Sequence, residues 1–186
     1  MTNTDRVILG IDPGTNIMGF GVIHVKGKTM ELLAFDILNL SNIEDHAIKL
    51  KKIFETTDKL IEQYKPDDFA IEAPFFGKNV QSMLKLGRAQ GVAIAAALNR
   101  NIPVTEYSPK KIKQSITGNG NASKEQVAAM LQQLLKIKEM HKYLDATDGL
   151  AAAVCHYFQN NRGLNLEGKS YSGWKVFLKK NPHRKL

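Results

Sequence analysis

The sequence predicts an α/β domain with a mixed five-stranded sheet and helices on both faces. Short apolar runs at 7–11 and 69–71 are typical of strands that are buried on both faces. Apolar and small residues then recur at helical spacing between positions 80 and 98. Strands followed by alternating helices and strands indicate a layered arrangement.

The chain opens with three predicted strands, at 7–11, 17–25 and 29–40. Pro13-Gly14 interrupts the apolar pattern after the first strand, and Lys26-Gly27-Lys28 is a turn-like break after the second. Because both links are short, we expect these three strands to form an antiparallel meander.

Helices and two further strands follow. The first helix is predicted from near Ser41, where Ser41 and Glu44 have the spacing of a capping box, to about Tyr64. The remaining predicted elements are a strand at 69–71, a helix at 80–99, a strand at 103–107, a short helix after Ser108-Pro109, a helix from Ser123 to about Ile137 and a helix at 144–159.

Composition limits the class of protein. The chain has 186 residues, which fits one globular domain, and no run approaches the roughly 18 apolar residues of a membrane span. The polar segment 1–6 does not resemble a secretory signal. The single cysteine, Cys155, cannot form an internal disulfide. We therefore expect a cytoplasmic protein that does not bind membranes.

Basic charge is concentrated at the end of the chain. The net charge is +8, and residues 161–186 carry seven basic residues against Glu167 alone, so that residues 1–160 carry only +2. We therefore divide the chain into a domain at 1–160 and a basic C-terminal tail at 161–186. The charge favours a polyanionic partner such as nucleic acid, although a charged tail also serves solubility.

Two predicted strands end directly in an acidic residue. Asp12 follows the run at 7–11, and Glu72 follows the run at 69–71. A single acid at a strand end is most often a solvated loop residue or a helix cap. The carboxyl ends of strands are also where open α/β sheets build their sites, and two such acids in one sheet favour that interpretation.

Two more acids lie on the last predicted helix. Asp145 and Asp148 are three residues apart and project from nearly the same face. Asp145 has an ordinary explanation as an acid at a helix start. Asp148, however, lies in the apolar stripe of Leu144, Ala151 and Cys155, where an ionised carboxylate is costly unless a positive group compensates it.

If this helix starts beside the two strand ends, four carboxylates converge and need cations between them. Oxygen ligands favour hard ions, so Mg²⁺ is the first candidate and Mn²⁺ a substitute. Zinc is disfavoured because Cys155 and the histidines show no ligand spacing. Two ions about 3.5–4 Å apart can support phosphodiester cleavage. Together with the basic charge, the acids predict a metal-dependent nuclease.

Four segments, in this order, resemble the RuvC family of Holliday junction resolvases over roughly residues 6–158. The resemblance implies a ribonuclease H-like fold and a homodimer that nicks two opposed strands of a four-way DNA junction, with Mg²⁺, during recombination and repair. It assigns the metal-binding and catalytic roles to Asp12, Glu72, Asp145 and Asp148. The segments are Gly10-Ile11-Asp12-Pro13-Gly14, Ala70-Ile71-Glu72, residues 85–93 (KLGRAQGVA) and residues 145–151 (DATDGLA).

The resemblance also implies DNA contacts. Phe75 matches an aromatic residue that stacks on unpaired junction bases, with a core phenylalanine as the alternative. Lys113 and Lys124 match basic residues near the scissile phosphate. Lys78 and Arg88 are further candidates for phosphate contacts.

Two features leave alternatives open. Gly87 and Gly91 lie one helical turn apart and permit close backbone approach, either at the dimer interface, which we favour, or against the sheet. The segment 168–186, with three aromatic residues among its lysines, is longer than we expect for the family. It can fold back on the domain, contact DNA, or dock a branch-migration complex of the RuvA and RuvB type.

Three other functions compete with resolution of junctions. The segment 10–14 also resembles the phosphate loop of actin-like ATPases, but those enzymes need two such domains and this chain has room for one. A ribonuclease H-like nuclease of the YqgF type, acting on RNA, does not explain Phe75. A non-catalytic junction-binding protein is expected to lack an acid, and all four are present.

Overall fold

The computed structural model describes residues 5–74, 79–139 and 144–162. Its strands form one sheet in the order β3-β2-β1-β4-β5. The first three strands pair in antiparallel fashion, whereas β4 and β5 run parallel to β1, which confirms the mixed five-stranded sheet. The strands are β1 (Arg6–Asp12), β2 (Ile17–Lys26), β3 (Thr29–Asn39), β4 (Asp68–Glu72) and β5 (Val104–Tyr107).

Helices follow the strands much as the apolar periodicity predicts. The helices are α1 (His46–Tyr64), α2 (Val80–Asn99), α3 (Pro109–Thr117), α4 (Lys124–Leu135) and α5 (Asp145–Arg162). Ser108 caps α3 with Pro109 at its first turn, and Ser123 and Gln126 form the predicted capping box of α4. Within the described ranges no helix is long and apolar enough to cross a bilayer.

The predicted start of α1 is wrong by about five residues. The helix begins at His46, and its N-cap is Asp45, whose side chain accepts a hydrogen bond from the Ile48 amide at 3.0 Å. Ser41 instead follows the end of β3, where its amide donates to Asn39 Oδ1 at 2.9 Å. The Leu40 amide donates a hydrogen bond to the Asn16 carbonyl oxygen at 2.7 Å, which fixes this turn and keeps residues 40–45 out of the helix.

The sheet separates two apolar cores, as the helices on both faces require. Successive residues of a strand point to opposite faces, so Ile8 joins the core under α3, α4 and α5, and Leu9 joins the core under α1 and α2. Both side chains are fully buried. This two-sided burial explains why β1 reads as a continuous apolar run rather than an alternating one.

Helix α5 ends at Arg162, two residues into the segment that the sequence assigned to the tail. Residues 163–186 lie outside the described residues, and the boundary between domain and tail stays a prediction.

Candidate active site

Asp12 and Glu72 end two neighbouring parallel strands. Ile11 pairs with Ile71 across β1 and β4, so the next residue of each strand, Asp12 and Glu72, stands at the same edge of the sheet. Neighbouring strands lie about 4.7–4.9 Å apart. The parallel register therefore brings the two acids side by side.

The start of α5 lies against the same edge. Asp12 pairs with Gly19 of β2, and a Cβ atom placed on Gly19 would lie 2.0 Å from the Asp145 carbonyl oxygen. Only a residue without a side chain permits this approach, because real Cβ contacts are longer than 3.0 Å. The missing side chain of Gly19 thus sets the first turn of α5 beside Asp12.

These elements surround a cavity of about 200 Å³ at the carboxyl edge of the sheet. Three of the four predicted acids line it, and Asp145 lies one helical turn before Asp148. Apolar residues from α3, α4 and α5 complete its wall. The lining residues are Asp12, Glu72, Pro109, Ile112, Lys113, Lys124, Val127, Asp148 and Ala151.

Lys124 supplies a positive charge to this site. Its Nζ forms an ion pair with Asp145 Oδ1 at 3.3 Å and a closer one with Asp148 Oδ2. The Asp148 side chain is 15% exposed, compared with 38% for Asp145. The positive group that we expected beside the Asp148 carboxylate is therefore, in this structure, the Lys124 ammonium group.

The acids carry raised pKa values because they are crowded and removed from water. Burial raises the pKa of Asp12 well above its ordinary value, and the charges of Glu72 and Asp148 raise it further. Burial, followed by the Asp148 charge, raises the pKa of Glu72 to about 7. The pKa of Asp148 is also raised, chiefly by burial, although Lys124 opposes the shift.

Lys124 responds in the opposite sense. Burial would lower the pKa of its ammonium group, but hydrogen bonds and charge from Asp148 and then Asp145 raise it overall. Lys113 lies in the cavity wall, where its charge lowers the pKa of Glu72. The site thus combines an excess of negative charge with two cations at its border.

The donor set fits a hard divalent cation. Carboxylate oxygens prefer such ions, and Lys124 already marks a position where positive charge is stabilised between two carboxylates. Among the described residues, no three His, Cys, Asp or Glu side chains form a set that could hold a metal ion as they stand. Cys155 donates to Ser115 Oγ at 3.3 Å, whereas its neighbour His156 contacts the Tyr107 hydroxyl, so the two side chains have different partners.

Other predicted residues lie away from this cavity or outside the described part of the chain. Phe75 and Lys78 lie outside the described residues, and Arg88 is exposed on α2. A Cβ atom added to Gly87 or Gly91 would meet nothing within 4 Å, so neither glycine is needed for close packing against the sheet.

Sequence reasoning missed the glycines that position α5. Besides Gly19, Gly149 faces β2 so closely that a Cβ atom would lie 2.5 Å from Phe20 Cα. A signal was available, since Gly19 and Gly21 alternate within an otherwise apolar strand, and strand glycines mark a close approach of another backbone.

The raised pKa of Glu72 predicts a pH-dependent stability. A carboxyl group with a pKa of about 7 in the folded state and about 4.5 when unfolded binds more protons when folded, so stability falls as pH rises between these values. In metal-free buffer at pH 8, we expect Glu72→Gln to raise the free energy of unfolding by about 1–3 kcal/mol, and by less at pH 5.

Urea denaturation at the two pH values, with EDTA present, measures this difference. Glu31→Gln is the matched control, because Glu31 is 62% exposed and its removal should change stability by less than about 0.5 kcal/mol. Equal gains for Glu72→Gln at pH 5 and pH 8 would contradict the assigned pKa.

The fold is that of the ribonuclease H-like resolvases, and the comparisons identify the family. A family model described as crossover junction endodeoxyribonuclease RuvC matches residues 8–156. The chain belongs to the RuvC family of endodeoxyribonucleases, which are divalent-metal-dependent enzymes. Membership does not favour the RNA nuclease of the YqgF type or the non-catalytic junction-binding protein.

Relatives match along nearly the whole chain. A crossover junction endodeoxyribonuclease RuvC of Christiangramia forsetii is 64% identical, covering 97% of this chain and 93% of that protein. One from Porphyromonas gingivalis is 57% identical and covers 99% of both chains. The structure of Thermus thermophilus RuvC in complex with Holliday junction substrate is 33% identical, with a TM-score of 0.79, covering 85% of this chain and 96% of that one.

Proposed function

We propose that this chain resolves four-way DNA junctions by nicking two opposed strands, with Asp12, Glu72, Asp145 and Asp148 as the catalytic carboxylates. The observation that carries the proposal is the convergence of Asp12, Glu72 and Asp148 on one cavity, with a cation held between Asp145 and Asp148. Membership in the RuvC family and the likeness to a junction-bound relative support the same substrate.

We assign Mg²⁺ as the metal, with two ions per site and Mn²⁺ as a substitute. When bound, such ions supply the positive charge that activates water and stabilises the leaving oxygen of a phosphodiester. Asp12 and Glu72 would hold them from the sheet, and Asp145 and Asp148 from α5. For this, Lys124 has to release the two α5 carboxylates, which already fix the position of a cation.

We assign Lys113 and Lys124 to the scissile phosphate. Lys113 is half-buried in the cavity wall, and Lys124 reaches the cavity from the first turn of α4. With the α5 carboxylates engaged by metal ions, the Lys124 ammonium would be free to pair with a phosphate oxygen, whose negative charge would replace that of Asp148. The apolar wall of Pro109, Ile112 and Ala151 limits the water around the reacting group.

DNA contacts beyond the cavity are assigned on the family resemblance alone. They comprise base stacking by Phe75 and phosphate contacts by Lys78 and Arg88. We likewise keep the tail at 161–186 as a basic segment separate from the nuclease domain at 1–160, with a branch-migration complex as its partner and the cytoplasm as the compartment.

We propose that the enzyme is a homodimer whose subunits meet along α2. Large apolar side chains of this helix are unusually exposed, at 64% for Val80, 52% for Leu84 and 57% for Leu98. Gly87 and Gly91 leave open space on the same helix. A second subunit would bury this surface and place a second active site on the opposed strand.

A plasmid that extrudes a cruciform tests the cleavage and the dimer together. With Mg²⁺, we expect linear plasmid as the first product, because two subunits nick both strands within one binding event. A synthetic four-way junction should be nicked at symmetric positions, and a linear duplex of the same sequence should stay intact. Equal cleavage of junction and duplex would refute the proposed substrate, and nicked circles that become linear only later would refute paired action.

A further inference from the structure

A second polar pocket, of about 250 Å³, lies near the end of β1. It is built where three segments meet, namely the β1–β2 turn and the first turns of α1 and α2. Its wall is formed by Thr15 and Asn16 of the turn, His46 and Lys49 of α1, and Ser82 and Lys85 of α2. The Leu40 amide, which donates to the Asn16 carbonyl at 2.7 Å, holds the turn in place.

Positive charge predominates in the second pocket. Lys49 and Lys85 line it, and the only acid in its lining is Glu44. Lys49 Nζ donates to Asn16 Oδ1 at 3.1 Å, which directs the ammonium group towards the β1–β2 turn. Throughout 5–74, 79–139 and 144–162, neither lysine forms an ion pair with a carboxylate. Both charges therefore remain available to an anion.

Two helix starts reinforce this charge. His46 is the first residue of the 19-residue α1, Ser82 lies in the first turn of the 20-residue α2, and neither first turn contains an acid. The amino ends of both helices therefore face the same region, and at α1 the Asp45 carboxylate accepts from the Ile48 amide and offsets part of the positive end. In addition, the buried His46 Nε2 has no hydrogen-bond partner within the described residues, although buried polar atoms normally have one.

We infer that this second pocket binds a backbone phosphate of the DNA strand that is nicked, close to the scissile phosphate. Thr15 is three residues from Asp12, so it lies within about 11 Å of that acid along the chain. A DNA strand carries one phosphate per about 3.4 Å of helix axis, so a strand cut at the carboxylates reaches the second pocket within about three nucleotides. Lys49 and Lys85 then fix the register of the strand.

This inference rests on the proposed function, and binding in EDTA separates the two. We expect the double variant Lys49→Gln with Lys85→Gln to bind a synthetic four-way junction roughly tenfold more weakly at low salt, with the slope of log K against log salt lower by about 1. The matched control is Lys51→Gln with Lys52→Gln, which removes the same charge from an exposed face of α1. It should leave that slope unchanged.

Neutral phosphates locate the contact. In junctions with one methylphosphonate placed one, two or three nucleotides from the nick, wild-type affinity should fall at one position, and the double variant should lose much less there. If the double variant keeps the wild-type salt slope, or if both proteins respond alike at every position, the second pocket binds no phosphate. Failure of the wild-type protein to nick junctions with Mg²⁺ would instead count against the proposed function. The phosphate contact measured by binding in EDTA would not be affected by that result.

Discussion

Asp12→Asn is expected to lower Mg²⁺-dependent nicking of a four-way junction by roughly 10²–10³-fold or more, while the folded protein becomes more stable. We expect activity to fall because Asp12 is a proposed metal ligand on which the charges of the other three acids all act. Stability rises because burial, then Glu72 and then Asp148 raise the pKa of Asp12, so that its ionised form is unfavourable in the metal-free fold. The opposite signs of the two effects separate loss of a ligand from loss of the fold.

Single-turnover nicking rates and thermal unfolding with and without Mg²⁺ measure both effects. Mg²⁺ should raise the melting temperature of the wild-type protein by binding the folded state, and should raise that of Asp12→Asn much less. The matched control is Asp58→Asn on α1, where Arg100 donates to the carboxylate at 2.8 Å and the resulting hydrogen bond lowers the pKa of Asp58. That variant should keep nicking and become slightly less stable.

Retained nicking by Asp12→Asn would remove this residue from the metal site. A fall in its melting temperature without Mg²⁺ would contradict the raised pKa. Neither result would affect the family assignment, which rests on the whole chain rather than on one acid.

Most of the fold was predictable because apolar periodicity and caps are local signals. The stripe between 80 and 98 predicted α2 with the bounds that it has, and the Ser123 and Gln126 pair predicted the start of α4. The start of α1 was not predictable in this way. Its false start at Ser41 matched the capping pattern, and the contact that overrides it joins Leu40 to Asn16, far away in the sequence.

The candidate site was predictable only in part. Strand-end acids and a costly aspartate on an apolar stripe predicted Asp12, Glu72 and Asp148, and the structure places these three side chains around one cavity. Lys124 stays a predicted contact of the scissile phosphate, and its ion pairs with Asp145 and Asp148 were not predicted. The sequence does not contain the spacing between α4 and α5 that decides this pairing, nor the close approach of α5 to β2.

Because of that close approach, we expect Gly19→Ala to have a large effect on both stability and nicking. The added Cβ atom would lie 2.0 Å from the Asp145 carbonyl oxygen, whereas ordinary contacts begin near 3.4 Å, so α5 has to shift by roughly 1.4 Å. We expect a loss of roughly 2–4 kcal/mol in the free energy of unfolding. A displacement of this size at a reacting centre lowers the nicking rate by about 10²-fold, even per folded molecule.

Denaturation curves give the folded fraction at 10 °C, and nicking rates at the same temperature are divided by that fraction. Gly120→Ala is the matched control, because its Cβ atom would lie 2.6 Å from Cγ of the exposed Lys110 side chain, which can rotate away, and 3.3 Å from the Lys110 carbonyl oxygen, which needs only a small adjustment. We expect that variant to keep both stability and nicking. If folded Gly19→Ala molecules nick as fast as the wild-type protein, the position of α5 does not determine the activity of the site.

Gly149→Ala tests the same contact from the helix side. Its Cβ atom would lie 2.5 Å from Phe20 Cα and 2.6 Å from the Gly19 carbonyl carbon, so either alanine alone forces α5 away from β2. Once one substitution has moved the helix, the other costs less. We therefore expect the sum of the losses in the free energy of unfolding of the two single variants to be larger than the loss of the double variant. Full additivity would mean that each glycine is needed for a separate local reason, and that α5 does not move as a unit with Asp145 and Asp148.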